Sequence, residues 1–210
     1  MNEMKLIMES WRGFLSESTE TNNVIAHLTG QAGSGKNYFI DNFLIKAYPN
    51  LVVKDLDDFD DEADAVVASG PADKSWRADF DNIDQELARE HFEQVQDLLN
   101  SFISQNKDSQ VFLVGMSVFT WVKDGNNSLD VGSPRFKFYL DVPHEIAAKR
   151  RLDRDIKKGL FGDSVPDSES YKDHIAADIE YAKIEKDKLL SMGYILKNPE
   201  EIIEIIGNET

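Results

Sequence analysis

Apolar and polar positions come in blocks along this chain, and the spacing within each block predicts an element. Val24-Ile25-Ala26-His27-Leu28 is a short apolar run with β-branched residues, which predicts a buried strand. From Asn37 to Ile45 the apolar positions 39, 40, 43 and 44 repeat at helical spacing. Pro49-Asn50 turns the chain into a second strand, Leu51-Val52-Val53-Lys54, and a helix is predicted over 61–69. Residues 82–105 set Ile83, Leu87, Val95, Leu98, Leu99, Phe102 and Ile103 mostly on one face of a long helix. His91 lies among them and reads as a structural residue. Val111-Phe112-Leu113-Val114-Gly115-Met116 is continuously apolar, as a central strand covered on both faces would be. Phe136 to Asp141 is a fourth strand, and Pro143 opens the next helix, where its fixed φ suits the first turn. Residues 169–192 form another amphipathic helix, Tyr194-Ile195-Leu196 a fifth strand, and Asn198-Pro199 caps a terminal helix.

At the amino end, Met4, Ile7, Met8, Trp11, Phe14 and Leu15 fall on one helical stripe, and Ser16 to Asn23 is polar. Residues 1–21 therefore read as a separate segment, either a helix docked on the domain or an address tag. Ile7-Met8-Glu9-Ser10 resembles the sites at which tailed-phage head proteases remove capsid-targeting peptides. The remainder, 22–210, has the length of one α/β domain. A net charge of −16 disfavours generic binding to nucleic acid or an anionic membrane. With no cysteine there is no disulfide, thiolate zinc site or cysteine nucleophile, and no apolar run is long enough to span a bilayer. These features point to the cytoplasm.

The candidate chemistry begins between the first strand and the first helix, at Gly30-Gln31-Ala32-Gly33-Ser34-Gly35-Lys36-Asn37. Up to Lys36 this matches the GxxxxGK[ST] phosphate-binding pattern, or Walker A loop, in the strand-turn-helix context it requires. Its amides and the helix start suit phosphate oxygens, and Lys36 suits the β- and γ-phosphates of a nucleotide. Gly30, Gly33, Ser34, Gly35, Lys36 and Asn37 are thus the nucleotide-binding candidates. Asn37 stands where the pattern has a Ser or Thr hydroxyl for Mg²⁺.

Two charged stretches join the loop. From Asp55 to Asp64, seven of ten residues are acidic. Asp60, Asp61 and Glu62 suit the positive end of the helix that follows, whereas Asp57 and Asp58 sit near a strand's carboxyl end, where ligands of α/β sheets gather. From Lys149 to Lys158 there are six cations against two aspartates. Arg150, Arg151 and Arg154 are spaced to converge on one anion, and the loop from Gly159 to Pro166 gives such a helix the flexibility of a lid, around 150–170. Arg77, between Trp76 and Phe80, and Trp121 are candidates to hold or stack on a substrate.

Together these features resemble the phosphate-loop nucleoside kinases, especially the uridine kinase and nicotinamide riboside kinase group. Gly30 to Lys36 match the phosphate loop, and Asp57-Asp58-Phe59 is similar to the Asp-Asp-Phe segment after the second strand. Phe138 to Pro143, followed by Ala147 to Ile156, is similar to the fourth strand and Arg-Arg lid helix. The resemblance implies a three-layer P-loop fold: a five-stranded parallel sheet, helices on both faces and a small mobile lid. It implies ATP and Mg²⁺ as cofactors and phosphorylation of a hydroxyl on a small acceptor, a nucleoside or nucleotide. Asp57 would accept the hydroxyl proton, Asp58 and Phe59 would face the acceptor, and Asn37 with Asp55 or Asp57 would serve the metal. The family also places a Glu before a Gly where this chain has Val114-Gly115. On that pattern, Asn37→Thr with Val114→Glu should improve metal use. A kinase of hydroxymethylated bases in DNA and a nucleotide-binding protein without turnover are the alternatives.

Overall fold

The structure is a computed structural model that describes residues 23–67, 83–115, 128–159 and 168–208. The amino-terminal segment 1–21, the aromatic-flanked Arg77, Trp121 and the lid loop at 160–167 lie outside the described residues.

Five strands, β1 (Val24–Thr29), β2 (Val52–Asp55), β3 (Val111–Val114), β4 (Phe136–Leu140) and β5 (Ile195–Lys197), form one sheet. Every pairing is parallel, in the order β2-β3-β1-β4-β5. The most apolar strands are the central ones. In β1, Ala26 pairs with Phe112 on one side and Phe136 on the other, and Leu28 with Val114 and Phe138.

Successive strand residues point to opposite faces, so the continuous run of β3 supplies two cores. Val111 and Leu113 pack with Val24, Leu56, Phe59, Val95, Leu99 and Leu189 on one face. Phe112 and Val114 pack with Leu28, Phe39, Leu44, Phe138, Ile202 and Ile206 on the other. The chain is therefore an α/β protein with helices covering both faces of a parallel sheet. Among the described residues no helix is long and apolar enough to cross a membrane.

The helices follow the predicted order, with two informative differences. The first begins as α1 (Lys36–Phe39), widens into a π turn (Ile40–Leu44) and ends as α2 (Ile45–Ala47). A π turn takes more residues than an α turn, which rotates the apolar stripe. Phe39, Ile40 and Leu44 remain buried, and Phe43 is 41% exposed. Helix α3 (Asp57–Val67) starts at Asp57 and not at 61, so the acidic run makes up its first turns. The others are α4 (Gln85–Gln105), α5 (His144–Lys157), α6 (Glu169–Ser191) and α7 (Pro199–Gly207). Asp84 caps α4 by accepting from the amides of Glu86 and Leu87. A reciprocal Asn198–Glu201 capping box starts α7.

Candidate functional site: a charged cleft at the strand ends

Because every strand runs the same way, all the carboxyl ends lie on one edge of the sheet, where α/β proteins bind ligands. There β1 leads into the glycine loop, β2 into Asp55-Leu56-Asp57, and β3 into Gly115. Helices α5 and α6 stand opposite. Between them is a cleft of about 430 Å³. Its sheet side is Gln31, Ala32, Lys36, Asp57 and Gly115, and its helical side is Arg151, Arg154, Asp155, Lys158, Asp178, Tyr181, Ala182 and Glu185.

The loop is shaped by close approach. At Gly33, with φ 85°, an added Cβ would lie 2.2 Å from the Ala147 carbonyl oxygen and 2.9 Å from the Arg151 nitrogen, both backbone atoms of α5. Only glycine lets the loop rest directly on the basic helix. Side chains strengthen this join: the His144 and Gln31 side chains are 2.8 Å apart, and Gln31 Nε2 donates to Asp178 Oδ2 at 3.3 Å. The loop thereby contacts both α5 and α6.

Lys36 folds back over the loop. Its ammonium donates to the carbonyls of Gly30 at 2.7 Å and Gln31 at 3.4 Å. Burial pushes its pKa below the usual lysine value; Asp57, Asp55 and Glu185 oppose that shift, while Arg154 adds to it. Ser34 is buried, and its hydroxyl has no hydrogen-bond partner among the described residues. A buried hydroxyl in that state costs free energy until something pairs with it.

Opposite the lysine, carboxylates gather over Gly115. A Cβ there would sit 2.2 Å from Asp55 Oδ1 and 3.3 Å from Asp57 Oδ1, so the glycine makes room for both. The Asp57 amide donates to Asp55 Oδ1 at 3.1 Å, and Asn37 Nδ2 reaches Asp55 Oδ2 at 3.4 Å. Asn37, Asp55 and Asp57 thus form one polar group. Asp55 reaches this group as the last residue of β2.

The helical period sends the neighbours of Asp57 elsewhere, since each residue turns about 100° around the axis. Asp58 points outward and pairs with Lys54 at 2.7 Å. Phe59 is 4% exposed and packs in the core edge-on to Phe102, with ring centroids 5.9 Å apart. Neither lines the cleft, so the expectation that Asp58 and Phe59 face an acceptor there does not match where they lie.

The basic helix is sorted in the same way. Arg151 and Arg154 line the cleft, while Arg150 is exposed and does not. Convergence of all three on one anion reduces to two. Both already have carboxylate partners: Arg151 pairs with Asp178 and reaches Asp155 at 3.6 Å, and Arg154 meets Asp155 at 2.8 Å. Asp178, Tyr181 and Glu185 carry no local motif, and only the docking of α6 makes them part of the cleft.

At the end of β3, Val114 is 3% exposed and belongs to the core around Phe39 and Leu28. An acid at 114 on this backbone would enter that core, so Val114→Glu is not a way to complete a metal site here. A scan against protein-family models and a search of curated proteins match nothing to this chain.

Proposed function

We propose that this chain is a phosphate-loop kinase that binds ATP on Gly30 to Asn37 and transfers the γ-phosphoryl group to a hydroxyl of a small acceptor in the cleft. The observation that carries the reading is Lys36. Its ammonium is held by carbonyl oxygens at the mouth of a glycine loop, in one cleft with Asp57, Arg151 and Arg154. Ser34 Oγ, buried without a partner among the described residues, is a further group that a phosphate oxygen would satisfy.

Mg²⁺ suits an all-oxygen set with few protein ligands. The carboxylates of Asp55 and Asp57 and the amide oxygen of Asn37 are the groups that would hold it, and it supplies neutralisation of phosphate charge. In the transfer, the acceptor oxygen forms a bond to the γ-phosphorus as the bridging bond to ADP breaks. Asp57 takes the acceptor's proton. Lys36, Arg151 and Arg154 balance the charge on the phosphoryl oxygens, the main task of protein groups in such reactions. The arginines must share themselves between Asp155, Asp178 and the nucleotide. A nucleoside or nucleotide fits the cleft's scale, and Tyr181 offers it a ring. Arg77 and Trp121 remain candidates on the sequence alone.

Two alternatives stand. Val114 in the core leaves no acid at the end of β3, which favours nucleotide binding without transfer. DNA as the acceptor is disfavoured by the net charge and by the carboxylate partners of the cleft cations. One screen separates the three. The chain is incubated with labelled ATP, Mg²⁺ or Mn²⁺, and a panel of nucleosides, nucleotides and hydroxymethylated DNA. Kinase action predicts label on one small acceptor, lost in Asp57→Asn. ATP binding with no labelled product supports the non-catalytic reading, and salt-sensitive labelling of DNA supports the third. Unchanged ATP affinity in a folded Lys36→Ala protein would remove the basis of all three.

A further inference from the structure

Away from the cleft, α3 turns two carboxylates inward against the one histidine of α4. Asp60 and Asp64 are i,i+4 neighbours on one face of α3. His91 Nε2 lies 3.3 Å from Asp60 Oδ1, 3.3 Å from Asp64 Oδ1 and 3.3 Å from the Asp60 main-chain oxygen. The Asp64 side chain is fully buried, His91's is 4% exposed and Asp60's 17%. One atom from each of the three side chains falls within 4.8 Å of the other two.

The three side chains bring their ligand atoms together closely enough for one ion to be held by all of them. Ligands about 2.0–2.2 Å from zinc at tetrahedral corners stand about 3.3–3.6 Å apart, which is the spacing Nε2 keeps from both carboxylate oxygens. A buried imidazole beside two carboxylates is a donor set for zinc and its neighbours in the transition series, whereas Mg²⁺ and Ca²⁺ prefer oxygen alone. Two carboxylates with a neutral imidazole also cancel a 2+ charge inside the protein.

We propose that Asp60, Asp64 and His91 form a structural site for a divalent transition cation, zinc first among them. The ion clamps α3 to α4 and so fixes the helix whose first residue is Asp57. It is distinct from the metal of the cleft and does not depend on the kinase reading.

The test uses the full chain, stripped with a chelator and dialysed, then titrated with Zn²⁺ by calorimetry and with Co²⁺ by visible absorption. Expected are one equivalent of zinc at micromolar affinity or tighter, the strong d–d bands of tetrahedral Co²⁺, and a higher Tm with zinc. His91→Gln should weaken binding by more than about 100-fold, beyond the loss typical of altering an outer-shell partner. His174→Gln, at an exposed histidine, and Lys36→Ala in the cleft should leave it unchanged. Absence of saturable binding to the folded wild type overturns the site and leaves a histidine bridging two carboxylates. Equal binding in His91→Gln also overturns it. Should that variant fail to fold, the wild-type Co²⁺ spectrum decides, because weak octahedral bands are incompatible with the proposed geometry.

Discussion

Helices α3 and α5 are the two charge blocks of this chain, one acidic and one basic, and the fold treats them alike. Each is divided three ways by the helical period. On α3, Asp57 enters the cleft, Asp58 faces solvent with Lys54, and Asp60 and Asp64 turn inward to His91. On α5, Arg151 and Arg154 enter the cleft, Arg150 faces solvent, and Asp155 is buried between the two arginines. A run of like charges is therefore not one functional patch. What distinguishes its members is the angle at which each leaves the helix.

The sharpest way to break that comparison is to change adjacent residues. Asp57→Asn should lower phosphate transfer by about 10²–10⁴-fold, the usual contribution of a positioned general base, and spare ATP affinity. Asp58→Asn should leave turnover unchanged and cost at most about 1 kcal/mol of stability, as an exposed ion pair does. Equal effects on turnover would erase the distinction between the cleft and solvent faces of α3. Steady-state rates and ATP titrations of both variants check this.

At the meeting of the two blocks, Lys36→Ala should weaken ATP binding by about 1.5–3 kcal/mol, the scale of hydrogen bonds to a charged group. Because burial disfavours the lysine's charged form, the same change should not destabilise the ligand-free protein. Calorimetry with ATP and thermal unfolding without it measure the two effects separately.

On the basic block, Arg154→Ala should reduce turnover by about tenfold, near 1.4 kcal/mol, with a smaller effect on ATP affinity. Arg150→Ala should do neither. A matching loss in the Arg150 variant would show that the exposed guanidinium reaches the nucleotide during the reaction.

The smallest effect concerns the acidic wall of the cleft. Burial first, and then the Glu185 carboxylate, push the Tyr139 hydroxyl up to about 12. A folded pKa above the unfolded value of about 10 means that this residue's stabilisation is complete below that pH. It is lost as pH rises toward 12. Tyr139→Phe should flatten the fall in stability over that window, and Glu185→Gln, by lowering the folded pKa, should make the fall smaller and end it at lower pH. Denaturant unfolding at a series of alkaline pH values reads both.

Much of the frame was legible because it rests on local rules. Strand and helix order followed from apolar runs and their period, and the cap at Asn198 from its residue type, while its reciprocal bond with Glu201 is seen only in the structure. Gly33 was legible as part of a motif, but its reason lies across the sheet, in the backbone of α5. Phe59 shows the opposite case. Its motif neighbours suggested a substrate contact, and the helical angle placed it in the core beside Phe102.

The sequence by itself determined the α/β class, the glycine loop with Lys36 at its end, and the two charge blocks. Each depends on residues a few positions apart, where backbone geometry allows few arrangements. Only the tertiary structure decided that Asp55 joins Asp57 over Gly115, that Val114 faces the core, and that Asp178 and Glu185 share a cleft with Lys36. Those relations join strands and helices distant in the chain, and their distances are set by how whole elements pack on the sheet.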